Sequence, residues 1–201
     1  MYDLPLGLIV LPKSVGKIVS AARECFFQHG YHASNVSLIA RYAGISRATI
    51  YKNFSSKEAL FQAMVQRQFA EYDIALSEYA EANADFWQET ENLFVNRCQG
   101  VFDDISSQVI RTELVHAGHS LCQALMDKEQ EDMLGVIINR IEQEIAANRL
   151  TLERINMTSA QFASAMQSMP IGIFFSSNEA NDLGSLKQVL TIFRVATEIS
   201  N

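Results

Sequence analysis

Asn35-Val36-Ser37-Leu38-Ile39-Ala40-Arg41-Tyr42-Ala43-Gly44-Ile45-Ser46-Arg47-Ala48-Thr49-Ile50-Tyr51-Lys52-Asn53-Phe54 is the stretch whose reading decides the fold. Asn35 is an N-cap residue, and Val36, Ile39, Ala40 and Ala43 recur at helical spacing behind it. Gly44 follows as a stop, because glycine enters the left-handed region that ends helices at no steric cost. Ser46 then sits as an N-cap between Ile45 and Ile50, the pattern of a hydrophobic staple. Ile50 and Phe54 share one face of this second helix, about nine residues long at 100° per residue, while Ala48, Thr49, Tyr51 and Lys52 point the other way. Two short helices around a glycine turn make a helix-turn-helix. The small Ala48 and Thr49 let the second helix approach a DNA groove, where Arg47, Tyr51 and Lys52 reach bases or phosphates.

Outward from this unit the helical period continues. Ile18, Ala22, Cys25, Phe26 and His29 mark a helix over 14–29, with Gly30 as its stop. Ser55-Ser56-Lys57-Glu58 reads as a capping box with Ser55 at the N-cap and Glu58 at N3, opening a long helix. The N–H groups at that start, beside Lys57, suit a phosphate. Helices follow over Asp85–Ile105 and over Ser107–Ala117, the latter leading through an interruption at Gly118 to about Asn148. A capping box at Thr158 opens a helix that Pro170 should kink or end, and Asp182–Ile199 is the last. Period-two alternation is absent, so the fold class is all-α.

The chain has 201 residues, a globular composition and a formal charge of −7, which by itself argues against nucleic acid. The distribution reverses that argument. Residues 13–67 carry eight Lys or Arg and two acids, or +6, whereas residues 68–201 carry eight basic and twenty acidic groups, or −12. Phosphate responds to local charge, so a basic module on an acidic body is a nucleic-acid footprint. No apolar run approaches the roughly 18 residues that span a bilayer, and Leu4–Leu11 lacks the flanks of a signal peptide. That apolar tail reads as packing into a groove. Cys25, Cys98 and Cys122 stand far apart with no C-x-x-C pair, which fits a reducing, cytoplasmic setting.

Enzyme motifs for phosphate loops, nucleophile elbows or zinc proteases are missing, and the chain reads as a non-enzyme. Glu113, His116, His119 and Cys122 recur every three residues, but with the helix interrupted at Gly118 they are not read as a metal site, and no cofactor is expected.

Residues Lys17–Leu60 resemble the TetR family of bacterial transcription regulators. Lys17, Ile18, Val19, Ala21, Ala22 and Phe26 fit the family's opening pattern, Gly30-Tyr31 its Gly-aromatic pair, and Ser34-Asn35-Val36 its capped helix start. Ile39-Ala40, Ala43-Gly44-Ile45-Ser46, Thr49-Ile50-Tyr51, Phe54 and Ser56-Lys57-Glu58-Ala59-Leu60 complete it without a gap. Asn35 stands where Thr or Ser is commoner, and Ala48 where Gly is common. The resemblance implies DNA contacts at Asn35, Ser46, Arg47, Ala48, Thr49, Tyr51, Lys52 and Lys57. After the apolar tail (1–12), which is read from composition, the domain order is helix-turn-helix (13–60) and then a helical effector-binding and dimerisation domain (61–201), the latter implied by the resemblance. It further implies a homodimer on a palindromic double-stranded operator, most often a repressor released by a small molecule. Phe94, Cys98, Phe102, Met126, Met133, Phe162 and Met166 are the apolar candidates for that effector's pocket, with His116 and His119 as polar anchors. The alternatives are an activator, a metal- or redox-responsive regulator, a helical enzyme or a scaffold.

The C-terminal helices carry apolar stripes of their own. Phe162, Met166, Met169 and Ile173 form one, and Leu183, Leu186, Leu190, Phe193 and Thr197 a second. Val189, Ile192, Ala196 and Ile199 form a third on the last helix. One terminal helix buries one face on its own core, so the second face predicts a partner copy. The dimer seam is therefore assigned to Phe162, Met166, Leu186, Val189, Ile192, Phe193 and Ala196.

Overall fold

The computed structural model describes residues 12–82, 84–102, 105, 107–176 and 182–199, without the side chains of 98–102, 174–176 and 182. The apolar Leu4–Leu11 tail lies outside the described residues. The fold is all-α. Its elements are α1 (Lys13–Ala33), α2 (Val36–Ala43), α3 (Arg47–Tyr51), α4 (Lys57–Glu81), α5 (Phe86–Phe102), α6 (Gln108–Ala146), a 3-10 turn at Glu153–Ile155, α7 (Ser159–Ser176) and α8 (Asp182–Thr197). Among the described residues the one strand-like pairing is an isolated bridge from Leu150 to Glu198, and no helix is long and apolar enough to cross a membrane. The chain forms two compact units, Met1–Asp73 with Asp103–Asp127, and Ile74–Phe102 with Lys128–Asn201.

In the first unit Ile18, Ala22, Phe26, Ile39, Ile50, Leu60 and Phe61 are sealed from solvent. Phe26 and Phe61 meet edge to face at 5.2 Å, and Tyr31 stands edge-on to Phe61 at 5.1 Å. Removing one such buried ring costs roughly 3–5 kcal/mol. Gly30 ends the regular part of α1 at φ 78°, ψ 172°, a conformation essentially reserved for glycine. The next residues fold back through Ser34, whose buried hydroxyl donates to the Gly30 carbonyl at 2.6 Å. From α6, the Glu113 carboxylate accepts the His32 amide and fills the space beside Gly30.

Three local expectations are corrected here. The cap of α4 is Ser56, not Ser55: its hydroxyl accepts the Ala59 amide at 3.2 Å, and Glu58 turns instead to the Tyr31 hydroxyl. Gly118 does not interrupt α6, which runs through it; the missing side chain makes room for Met126, whose sulfur would lie 3.2 Å from a Cβ. The helix breaks at buried Cys122 (φ −132°, ψ 24°), where Gln62 donates to the adjacent Leu121 carbonyl at 2.8 Å. Pro170 does not end α7, which continues to Ser176.

In the second unit α5, α7 and α8 pack on one another around Phe86, Phe94, Met133, Ile137, Ile141, Phe162, Met166, Leu186 and Leu190. Phe162, Met166 and Leu186 are thus core residues with no surface for a partner, which corrects their place in the dimer seam. A stripe facing the chain's own core satisfies the same helical period as one facing a copy. Phe193 is half-buried against Phe162 at 5.3 Å, and Val189 and Ala196 are half-buried. The apolar surface of α8 is instead Ile192 (63% exposed) and Val195 (65%), with Ile171 exposed on α7.

The glycines make a direct test. Gly30→Ala puts a Cβ 2.5 Å from a Glu113 oxygen in a glycine-only conformation, and a loss of about 1–3 kcal/mol in urea unfolding is expected. Gly135→Ala, mid-helix in α6 with nothing within 4 Å, is expected to gain about 0.5–1 kcal/mol.

Candidate nucleic-acid interface

Asn35 opens α2 as its N-cap, its side-chain oxygen accepting the Leu38 amide at 3.0 Å. Val36, Ile39 and Ala40 turn inward. At the other end Gly44 is left-handed at φ 65°, ψ 32°. The Ile45 amide returns to the Ala40 carbonyl and the Gly44 amide to that of Arg41, the paired bonds of a Schellman stop. Ser46 starts α3 by accepting the Thr49 amide at 3.1 Å, and its hydroxyl shares a second bond with that of Thr49. α3 spans five residues rather than about nine. So short a helix has little stability alone; it is held by its cap, by fully buried Ile50, and by Asn53 donating to the Thr49 carbonyl.

This anchoring presents Arg47, Ala48, Thr49, Tyr51, Lys52 and Asn53 together on the solvent side. Tyr51 keeps nearly half of its surface exposed, at 48%. A shallow cavity of about 580 Å3 beside them is lined by Asn35, Ser37, Leu38, Ala40, Arg41, Ile45 and Arg47. The structure so joins Arg41 and Ser37 to the residues singled out from sequence. Ser37 and Arg41 stand one turn apart on the exposed side of α2, a spacing visible in the sequence.

The basic segment divides by use. Arg67 donates to the Ser20 hydroxyl at 2.9 Å and to the Gly16 carbonyl, tying α4 to α1. Arg23 lies over the Phe27 ring at 4.3 Å. Lys57 donates to the Tyr31 carbonyl at 3.0 Å and sits 4.1 Å from the centre of its ring. It is half-buried, with one of three ammonium donors so engaged. Lys13, Lys17, Arg41, Arg47 and Lys52 are exposed.

Tyr31 links these elements chemically. Burial, reinforced by its bond to Glu58, pushes its phenol up to about 12. The Glu58 carboxyl is held below its ordinary range by its own backbone amide first, then by the Ser56 and Tyr31 hydroxyls.

The other site candidates separate. Phe94, Met133, Phe162 and Met166 pack in the core of the second unit. His116, His119 and Met126 belong to the first unit, with both imidazoles exposed. The side chains of Cys98 and Phe102 lie outside the described residues. Burial pushes the Cys122 thiol up to about 11. Among the described residues no three His, Cys, Asp or Glu side chains are grouped to hold a metal ion.

Residues 18–64 match the family model of bacterial regulatory proteins, tetR family. Within that region the chain is 44% identical over 52 residues to the HTH-type transcriptional activator FasR of Mycolicibacterium smegmatis, covering 26% of this chain and 24% of that protein. It is 39% identical over 54 residues to the HTH-type transcriptional repressor AcnR of Corynebacterium diphtheriae, covering 27% and 28%. The matched segment spans about a quarter of the length of these curated relatives. Over almost the whole chain the fold is similar to that in the SmeT–triclosan complex, with TM-score 0.70, 15% identity and 94% of each chain covered.

The Tyr31–Glu58 pair predicts opposite pH limbs. A phenol raised from 10 to about 12 stabilises the fold fully below pH 10, and that contribution is lost as pH rises through about 12. A carboxyl lowered from 4.5 contributes above that pH and is lost as pH falls through its folded value. Tyr31→Phe should flatten part of the alkaline limb of a urea-midpoint profile, Cys122 supplying another part. Glu58→Gln should flatten part of the acid limb and, because the Glu58 bond and charge help raise the Tyr31 phenol, shrink the alkaline limb as well.

Proposed function

We propose that this chain is a DNA-binding transcriptional regulator of the TetR type, acting as a homodimer on a palindromic operator and answering to a small-molecule effector. The observation that carries the reading is the outer face of α3. Arg47, Ala48, Thr49, Tyr51 and Lys52 are exposed together on a helix fixed by one sealed isoleucine, inside the one strongly basic segment of an acidic chain. The major groove admits one helix, and arginine to guanine is its commonest specific contact. Arg47 and Lys52 read or flank bases, while Asn35, Ser46, Thr49 and Lys57 lie toward phosphates. Arg41 and Ser37 join them through the cavity they share with Arg47. The relatives' names include both an activator and a repressor. Repression is the reading adopted, in which the effector favours a form whose two heads no longer fit the operator.

DNA selected from random sequence by the purified protein supplies the operator. Fluorescence anisotropy at two salt concentrations should then give a steep salt dependence. Arg47→Ala and Lys52→Ala should each cost about 1–3 kcal/mol and relax one base position where they read one. Lys57→Ala should weaken all sequences alike and lower the salt slope by about one per subunit. Wild-type binding by the Arg47, Tyr51 and Lys52 alanine variants together would reject the assignment.

Dimerisation is proposed through the exposed apolar side of α8. Its support is that Ile192 and Val195 each keep more than 60% of their surface in water while Leu186 and Leu190 already fill the core. Ile192→Asp or Val195→Asp should give a folded monomer by light scattering with little operator affinity. Two stable dimers at low micromolar concentration would move the interface elsewhere.

A further inference from the structure

A cavity of about 440 Å3 lies in the second unit, walled by Phe86 and Trp87 of α5, Arg140 and Glu144 of α6, Arg149, and Arg194 with Glu198 at the end of α8. Its charged groups are nearly all settled among themselves. Arg149 donates Nε and Nη2 to the two oxygens of Glu144 at 2.7 and 2.8 Å. Arg194 is paired with Glu198. Asp85, which also lines the cavity, accepts the Gln88 amide at the start of α5.

Arg140 is the exception. It is only 4% exposed, yet no carboxylate pairs with it among the described residues. Its Nη1 donates to the Ala82 carbonyl just past the end of α4, and the Tyr79 ring lies 5.3 Å from its guanidinium carbon. Its Nε and Nη2 have no hydrogen-bond partner among the described residues. The Tyr79 phenol is no counter-charge, because burial holds it above its ordinary value against the pull of the Thr90 bond and of Arg140 itself. A guanidinium cannot shed its proton to escape this position. Buried donors without partners are rare, and each calls for an account.

The two open donors are the informative detail. Nε and the Nη beside it present parallel N–H groups, the fork that takes a carboxylate through two bonds. Arg149 uses the same pair of atoms on Glu144. We propose that this cavity binds a small organic carboxylate, its oxygens taken by Nε and Nη2 of Arg140 and its apolar body laid against Phe86 and Trp87. The inference concerns binding alone and holds whether or not the chain binds DNA.

Trp87 is the only tryptophan of the chain, so its emission reports on the cavity wall directly. The probes are benzoate and octanoate, their neutral counterparts benzamide and octanol, and inorganic phosphate. Both carboxylates should change Trp87 emission saturably and raise the melting temperature, while the neutral pair does neither. Arg140→Lys, which keeps the charge and loses the fork, should weaken benzoate by about tenfold to a hundredfold. Arg140→Met should abolish the response, with circular dichroism checking that each variant folds. Equal responses to benzoate and benzamide would overturn the proposal, as would unchanged benzoate affinity in both Arg140 variants. Saturation by phosphate but by neither carboxylate would overturn the carboxylate assignment. Should neither variant fold, the contrast between benzoate and benzamide on the wild-type protein decides.

Discussion

The first unit depends on a chain reversal that only Gly30 can make. At φ 78° and ψ 172° the backbone leaves α1 in a region closed to side chains. Everything nearby is fitted to that reversal. Ser34 returns a hydrogen bond to the Gly30 carbonyl, Glu113 occupies the space where a Cβ would stand, and the next residue, Tyr31, packs on Phe61. Tyr31 in turn receives Lys57 on its carbonyl and gives its hydroxyl to Glu58. One glycine thereby sets the relation of α1 to α2, to the start of α4 and to the first half of α6.

The exposed helix of the candidate interface is held in place by other means. Five residues cannot sustain a helix by their own hydrogen bonds. α3 persists because its ends are occupied and its single inward side chain, Ile50, is completely enclosed. Thr49 and Asn53 help to close the helix, while the side chains of Arg47, Ala48, Tyr51 and Lys52 stand side by side on the solvent face. Stability and the proposed recognition are divided between two faces of one turn and a half of helix.

The second unit carries its polar groups deeper. Thr90 ties the Tyr79 hydroxyl to the Phe86 carbonyl, Arg97 pairs with buried Glu129, and Arg149 reaches in to buried Glu144. Each buried charge in this set has an opposite charge beside it, as its desolvation demands. Against that background Arg140, closed in and held by one carbonyl and one ring, is a group of another kind.

Much of this protein was legible in its sequence because the signals are local. Caps at Asn35 and Ser46, stops at Gly30 and Gly44, and the inward period of Ile39, Ile50 and Leu60 are properties of a few neighbouring residues, and the structure has each of them as read. The outward face of α3 followed from the same period. Tertiary structure decided what local pattern leaves degenerate. A stripe such as Phe162, Met166 and Leu186 has the same spacing whether it meets its own core or a second copy, and only packing told which. Gly118 and Pro170 are helix breakers by propensity, yet α6 and α7 run through both, since contacts along a buried helix outweigh a single weak residue. The uses of Lys57, Arg67, Glu113 and Arg140 were likewise invisible, because their partners lie from 26 to 81 residues away. A charge in a sequence states what it offers; which atom takes it up depends on distances that exist only once the chain has folded.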